Sequence, residues 1–114
     1  MIAVIFELEP HDGAAPRYFD HAATLRPELE KIDGFLSVER FESLSQPGRY
    51  LSLSFWRDEA AVRQWRCQPQ HRLAQQDGRS AVFAHYRLRV ATVMRDYGLH
   101  EREQVPADSL SALI

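Results

Sequence analysis

The chain lacks the features that mark several large classes of protein. Cys67 is the single cysteine among 114 residues, so no internal disulfide can form, and we expect a reducing, cytoplasmic location. No apolar run approaches the roughly 18 residues of a transmembrane helix, which predicts no membrane span. The formal net charge is −2, and without a basic excess we expect no nucleic-acid partner.

Motifs for bound nucleotides, metals and covalent catalysis are also missing. The sequence has no Walker-type phosphate loop, no dinucleotide-binding glycine fingerprint and no Cys/His cluster with metal-ligand spacing. It has no nucleophile elbow for a catalytic serine. Residues 1–10 lack a basic region, a long apolar run and a small-residue cleavage site, which favours a first strand over a signal peptide.

Apolar periodicity predicts a small α+β domain. Alternation predicts strands, recurrence every three or four residues predicts helices, and Pro and Gly mark helix ends. The expected elements are a strand at 2–9, a helix from Pro16 to about Asp33, strands at 35–44 and 49–56, a helix from Asp58 to Gly78 that is kinked at Pro69, and a strand at 82–96. The order β-α-β-β-α-β is that of a ferredoxin-like α+β fold, with one domain over residues 1–98 and a tail over residues 99–114.

Two features of the predicted sheet favour a homodimer. The last strand is far longer than the about five or six residues of a typical strand, so we expect it to extend past its own sheet towards a second subunit. The helices should cover one sheet face only, and to the face left bare we assign Phe35, Phe41, Tyr50 and Trp56. Because such a face is too apolar to stay in water, we expect two sheets to pack together.

Three segments carry a resemblance to a known family: GFLSVERFESL, PGRYLSLSFWRDEAAVRQW and YRLRVATVMRDYG. Over residues 2–97 the chain resembles the antibiotic biosynthesis monooxygenase (ABM) family of dimeric α+β barrels. The resemblance implies a ferredoxin-like protomer, a homodimeric barrel and a ligand pocket between the helices and the sheet. Family members include oxygenases that oxidise aromatic phenols with O₂ and no metal or flavin, haem-degrading enzymes, a few isomerases or decarboxylases, and small modules that only bind ligands.

The predicted second helix supplies most of the candidate site residues. Trp65 falls on its apolar face and would pack in the core, form the wall of a pocket for an aromatic ligand, or do both. His71 follows the kink at Pro69, where it could act as general base, ligate haem iron, or lie half-buried without a catalytic role. Arg66 and Arg72 could reach an acidic or phenolate ligand, although most arginines of this helix should face solvent.

Glu7 is the second candidate base. The usual 4-1-3-2 strand order would make the first strand interior and place Glu7 in the middle of the sheet, beneath the helices. An interior carboxylate needs a partner, and Arg87 or Arg89 on the last strand could pair with it. A catalytic carboxylate and a structural cross-strand pair are equally compatible with the sequence. We assign Glu39, Arg40 and Glu42 to salt bridges on the strand surface, and His21 to the solvent-exposed surface.

We therefore expect a cofactor-independent monooxygenase that acts on a small aromatic or quinonoid compound in the helix–sheet pocket. Trp65 would form the pocket wall, His71 or Glu7 would act as base, and Arg66 or Arg72 would stabilise the oxyanion. The first alternative is a haem-binding or haem-degrading protein that uses His71. Haem-degrading members share an Asn on the first strand, where this chain has Glu7, and a longer Trp-to-His spacing than that from Trp65 to His71. The second alternative is a non-catalytic ligand-binding dimer.

Overall fold

The computed structural model describes residues 1–110, apart from the side chain of Ser80, and has the predicted ferredoxin-like α+β fold. Its elements are β1 (Ile2–Pro10), α1 (Ala15–Glu30), β2 (Phe35–Glu42), β3 (Tyr50–Trp56), α2 (Glu59–Arg66), α3 (Pro69–Asp77), a π-helical turn (Gly78–Val82), β4 (Phe83–Thr92) and a 3-10 turn (Ala107–Ser109). The tail expected at residues 99–114 lies partly outside the described residues. Among the residues described, no helix is long and apolar enough to cross a membrane.

The strands form one antiparallel sheet in the order β2-β3-β1-β4, which places β1 in the interior as predicted. The expectation that the last strand covers residues 82–96 and extends past its own sheet is wrong. β4 ends at Thr92, which lies directly opposite Ile2, where β1 itself begins. The two strands therefore match in length, and β4 gives no support to an intersubunit extension.

Turn and capping residues act as the sequence predicts. Pro16 lies in the first turn of α1, and the chain leaves that helix through Gly34, whose φ of +94° is unfavourable for any residue with a Cβ. A Cβ at Gly34 would also lie 2.9 Å from the Cβ of Ala61. Asp58 caps α2 by accepting a hydrogen bond from the Ala61 N–H at 2.9 Å. These contacts fix the positions at which α1 and α2 meet the sheet.

The predicted kink at Pro69 is a complete break between two helices. α2 ends at Arg66, Gln68 has an extended backbone, and Pro69 starts α3. Gln68 caps the new helix, because its side-chain oxygen accepts a hydrogen bond from the His71 N–H at 2.7 Å. The break brings the His71 ring back against Trp65.

The helices pack on one face of the sheet, and the apolar core lies between the two layers. Trp56 is only 1% exposed in this core, and Tyr50 contacts Phe19 of α1 with ring centroids 5.1 Å apart. Phe35 packs against Trp56 with ring centroids 5.3 Å apart. The assignment of Phe35, Tyr50 and Trp56 to the bare face is therefore wrong.

The opposite face, here called the open face, carries a different apolar set. Its described apolar side chains include Ile5, Phe41, Leu51, Leu53 and Phe55. Of the residues assigned to it from the sequence, only Phe41 lies there. A register shift between Phe35 and Ser37 reverses the alternation along β2, and this reversal sends Phe35 to the helix side.

Candidate functional site

A cavity of about 970 Å³ lies between the helices and the sheet. Its volume is at the upper end of the roughly 300–1,000 Å³ typical of small-molecule sites. The sheet contributes a mostly apolar floor that includes Phe6 and Trp56, and α1, α2 and α3 contribute the walls. Three lining residues of β4, Tyr86, Leu88 and Val90, are 48–52% exposed. The helices therefore leave the β4 side of the cavity open.

Trp65 and His71 form a stacked pair in the wall of this cavity. Their ring centroids are 4.3 Å apart with an interplanar angle of 17°. His71 Nδ1 lies 2.9 Å from the Trp65 carbonyl oxygen. Because a carbonyl only accepts, Nδ1 carries the hydrogen, and in the neutral ring Nε2 keeps its lone pair. Within the described part of the chain, Nε2 has no hydrogen-bond partner.

Burial favours the neutral form of His71. Desolvation lowers the pKa of the imidazole below its ordinary value of 6.5, and the hydrogen bond to the Trp65 carbonyl opposes that shift. At neutral pH the side chain is therefore an uncharged base. Its position and protonation state suit the removal of a proton from a bound molecule.

Arginines dominate the charged lining of the cavity. The five that line it are Arg26, Arg40, Arg66, Arg72 and Arg79. No Asp or Glu is found among its described lining residues. Arg26 donates to Glu30 at 2.6 Å, whereas the other four have no carboxylate partner within residues 1–110. Although the formal net charge of the chain is −2, the arginines make the cavity positively charged. The cavity therefore favours an anionic ligand.

From the sequence, Arg40 was assigned to a salt bridge with its glutamate neighbours on the strand surface, and that assignment is wrong. It lies on the cavity floor, and its Nε donates a hydrogen bond to the Tyr18 hydroxyl at 3.1 Å. Alternation counted from Val38, which lies on the same face, could have located it. By contrast, Arg66 and Arg72 line the cavity as expected.

Glu7 lies on the open face, not beneath the helices, so its expected placement is wrong. It accepts hydrogen bonds from Arg49 at 2.9 Å and Arg89 at 3.1 Å. The predicted pairing with Arg89 is confirmed, while Arg87, its register partner on β4, forms no ion pair with it in the described residues. Within one protomer the sheet separates Glu7 from His71, and the two side chains do not share a site.

His21 reaches the cavity, although we assigned it to the solvated surface. Its Nε2 donates to Asp77 Oδ2 at 2.7 Å, and Arg17 donates to the same carboxylate through Nε at 2.7 Å and through Nη2. The hydrogen bond from His21, together with that from Arg17, lowers the pKa of Asp77, while burial opposes the shift. The carboxylate thereby joins α1 to α3. Its partners lie 56 and 60 positions away, so no local sequence signal could reveal the cluster.

The imidazole of His71 is a possible single ligand for a metal centre in the cavity. Within residues 1–110, no group of three or more His, Cys, Asp and Glu side chains is arranged to hold a metal ion. If haem bound in the cavity, Nε2 of His71 could supply a nitrogen ligand to its iron. The chain contains no asparagine, so the amide shared by the haem-degrading members has no counterpart in it.

Comparison with known proteins identifies the family. The family model described as antibiotic biosynthesis monooxygenase matches residues 1–77, from β1 to the end of α3. The chain belongs to this family. It is 46% identical over 105 residues to the jasmonate monooxygenase ABM of Pyricularia oryzae, in an alignment that covers 92% of this chain and 49% of that protein. The chain spans about half the length of the curated relatives it matches.

Solved structures share the ABM-family fold of this chain. Rv0793 from Mycobacterium tuberculosis superposes with a TM-score of 0.74 at 17% identity, covering 83% of this chain and 96% of that one. SnoaB, a cofactor-independent oxygenase from Streptomyces nogalater, gives a TM-score of 0.70 at 16% identity, covering 83% and 94%. At such identities the likeness establishes the fold alone.

Proposed function

We propose that this chain is a cofactor-independent monooxygenase whose substrate is a small aromatic or quinonoid compound, bound as an anion in the cavity. One observation carries the proposal: a neutral His71 with an unoccupied Nε2 lines an apolar cavity that also holds four arginines without carboxylate partners in the described chain. Membership of the monooxygenase family supports the reaction class. The jasmonate named for the fungal relative is a carboxylate, which supports an anionic substrate.

The chain's own groups suffice for each step of this chemistry. His71 Nε2 takes a proton from an acidic CH₂ or phenol of the substrate, and Arg66 or Arg72 stabilises the resulting oxyanion. The carbanion gives electrons to O₂ and combines with it as a peroxide, which recovers the proton from the His71 imidazolium. Loss of water then leaves a ketone. One oxygen atom enters the product, the other leaves as water, and the four electrons come from the substrate carbon.

Trp65 supports this role for His71. Its ring covers one face of the imidazole, and its carbonyl holds the tautomer in which Nε2 is the base. The same indole offers an apolar surface against which an aromatic substrate can stack. The two roles predicted for Trp65, core packing and forming the pocket wall, are therefore compatible.

Oxygen uptake by purified, metal-free protein tests the proposal. With anthrone, dithranol and a set of naphthohydroquinones, we expect at least one compound to be oxidised with one O₂ consumed per product and one ¹⁸O atom incorporated from ¹⁸O₂. Replacing His71 with Ala should lower the rate by at least about a hundredfold, because general-base catalysis is lost. His100→Ala, at an exposed position, is the matched control and should leave the rate unchanged. Absence of uptake across the whole set would contradict the proposal.

A haem protein is the second candidate, because Nε2 of His71 is a neutral nitrogen lining a large cavity. It predicts a Soret band that saturates at one haem per protomer on titration with haemin and is lost in His71→Ala. A missing or His71-independent band removes this candidate. Tight binding of an organic anion without turnover would instead favour a non-catalytic ligand-binding protein.

We also propose that the protein works as a homodimer joined through its open faces. The apolar side chains Ile5, Leu53 and Phe55 on that face support the proposal, since a single protomer leaves them without a covering layer in the described structure. Light scattering after size-exclusion chromatography should give twice the mass of the 13.2 kDa chain. Leu53→Asp should give the monomer mass.

A further inference from the structure

We propose that Arg40, with Ser52 beside it, is a binding site for the carboxylate of the ligand on the sheet floor of the cavity. This inference rests on the proposed function and names the chemical group by which the substrate is selected. Arg40 on β2 is the direct register partner of Ser52 on β3, and both line the cavity. Cross-strand partners hold their Cβ atoms about 5 Å apart, so the hydroxyl and the guanidinium can contact the same anion.

The guanidinium of Arg40 is held in one orientation by Tyr18. Its Nε donates to the Tyr18 hydroxyl at 3.1 Å, and its Cζ lies 5.7 Å from the centroid of the Tyr18 ring. Tyr18 is itself buried, with only 8% of its surface exposed. With Nε engaged, the two terminal nitrogens are available as a pair. That pair of parallel donors matches the two oxygens of a carboxylate.

No carboxylate of the protein neutralises Arg40 in the described residues. Glu39 occupies the next position on β2 and therefore faces the opposite side of the sheet. Glu42 accepts a hydrogen bond from the Gly48 N–H at 3.1 Å at the end of the hairpin. A half-buried guanidinium without a counter-charge is costly unless an anion joins it, which points to a ligand as the missing partner.

The other arginines of the lining are less suited to this role. Arg66 and Arg72 are exposed on α2 and α3, and Arg72 Nη2 lies 3.5 Å from Cys67 Sγ. Flexible side chains at a cavity mouth are solvated and lose more entropy on binding than one fixed on a strand. Arg40 belongs to the sheet layer and His71 to the helix layer. A bound acid would therefore span the cavity, with its carboxylate on the sheet and its reacting carbon towards the helices.

Matched acid and ester probes test the site without any turnover. The probes are jasmonate and 1-naphthoate, each compared with its methyl ester, and binding is followed by calorimetry and by quenching of tryptophan fluorescence. We expect the wild-type protein to bind each acid at least about tenfold more tightly than its ester. Arg40→Gln should weaken acid binding at least about tenfold and leave ester binding unchanged. The preference for the acid then disappears.

Three further variants separate recognition from folding. Arg63→Gln, on the exposed surface of α2 and outside the cavity lining, is the matched control and should keep the full preference. Tyr18→Phe retains the ring and removes the hydroxyl, so it should reduce the preference by a few fold. If Arg40→Gln does not fold, Arg40→Lys keeps the charge without the paired donors and should keep only part of the preference.

The results also distinguish this inference from the proposed function. A wild-type protein that does not prefer either acid, or an Arg40→Gln variant that keeps the preference, overturns the carboxylate site. An Arg40-dependent preference without oxygen uptake for any compound would uphold the site and contradict the oxygenase. Oxygen uptake by a protein that shows no preference for either acid over its ester would uphold the oxygenase and contradict the carboxylate site.

Discussion

Replacing Trp65 with Ala tests the packing on which the geometry of His71 depends. The indole packs against the core cluster that contains Trp56 and Val62, and it stacks on the His71 ring at 4.3 Å. A fully buried Trp→Ala exchange costs roughly 3–5 kcal/mol. Trp65 is only partly buried, so we expect about half of that, close to 2 kcal/mol. At this chain length the loss corresponds to a fall in Tm of about 10 °C.

Two measurements follow from this substitution. Urea unfolding monitored by circular dichroism gives the free energy of unfolding, with Gln64→Ala on the exposed side of α2 as the control. NMR titration of the His71 ring should show its pKa rising towards 6.5, because the indole no longer shields the imidazole from water. Trp65→Phe should keep most of both properties. If Trp65→Ala is as stable as Gln64→Ala and the His71 pKa does not move, the stacked pair does not bury the imidazole and the reasoning is refuted.

Three further substitutions have defined outcomes. Burial places the pKa of His71 below its unfolded value of 6.5, so as the pH falls the unfolded chain binds the proton before the folded chain does. The free energy of unfolding should therefore decrease below about pH 6.5. Chemical denaturation at about pH 7 and pH 5 should show a smaller decrease for His71→Gln than for the wild-type protein. Glu7→Gln should leave any oxygenase rate unchanged. It should reduce the free energy of unfolding by at most about 1 kcal/mol, because the ion pairs of Glu7 are partly exposed. A large loss of rate would instead indicate that Glu7 acts as a catalytic base. Gly34→Ala should lower the free energy of unfolding in urea by about 2 kcal/mol or more. The substitution places a Cβ on a residue with positive φ, at 2.9 Å from the Cβ of Ala61. An unchanged unfolding midpoint would contradict that geometry.

The regular parts of the fold could be predicted because their signals are local. The alternation of β1, the glycine at position 34 and the cap at Asp58 each act over a few residues, and the structure has all three. The faces of β2 could not be assigned by counting from Phe35. A bulge adds one residue to a strand and reverses the alternation beyond it, so Phe35 and Val38 share a face although they are an odd number of positions apart.

The residues of the candidate site likewise include some that local sequence signals indicated and some that they could not. Trp65 was selected because it falls on the apolar face of its helix, and His71 because it follows Pro69. The helix break at Pro69 brings the two side chains together. Arg40 was missed because Glu39 and Glu42 lie close to it in the sequence, and such a cluster of opposite charges is typical of salt bridges on a strand surface. His21 and Asp77 meet only after α1 and α3 pack on the sheet, and periodicity within one segment carries no information about that contact.

The exposed β4 side of the cavity has a consequence for how the protein senses its ligand. The cavity-facing side chains of β4 remain about half exposed, so this apolar surface is only partly covered by the rest of the protomer. They are Tyr86, Leu88 and Val90. An apolar molecule that enters from that side would cover these side chains and act as an additional element of the core. Ligand occupancy and thermal stability are then linked, with a gain in stability that grows with the logarithm of ligand concentration above Kd. A library of organic acids could thus be ranked by the rise in Tm that each one causes, before any reaction is known.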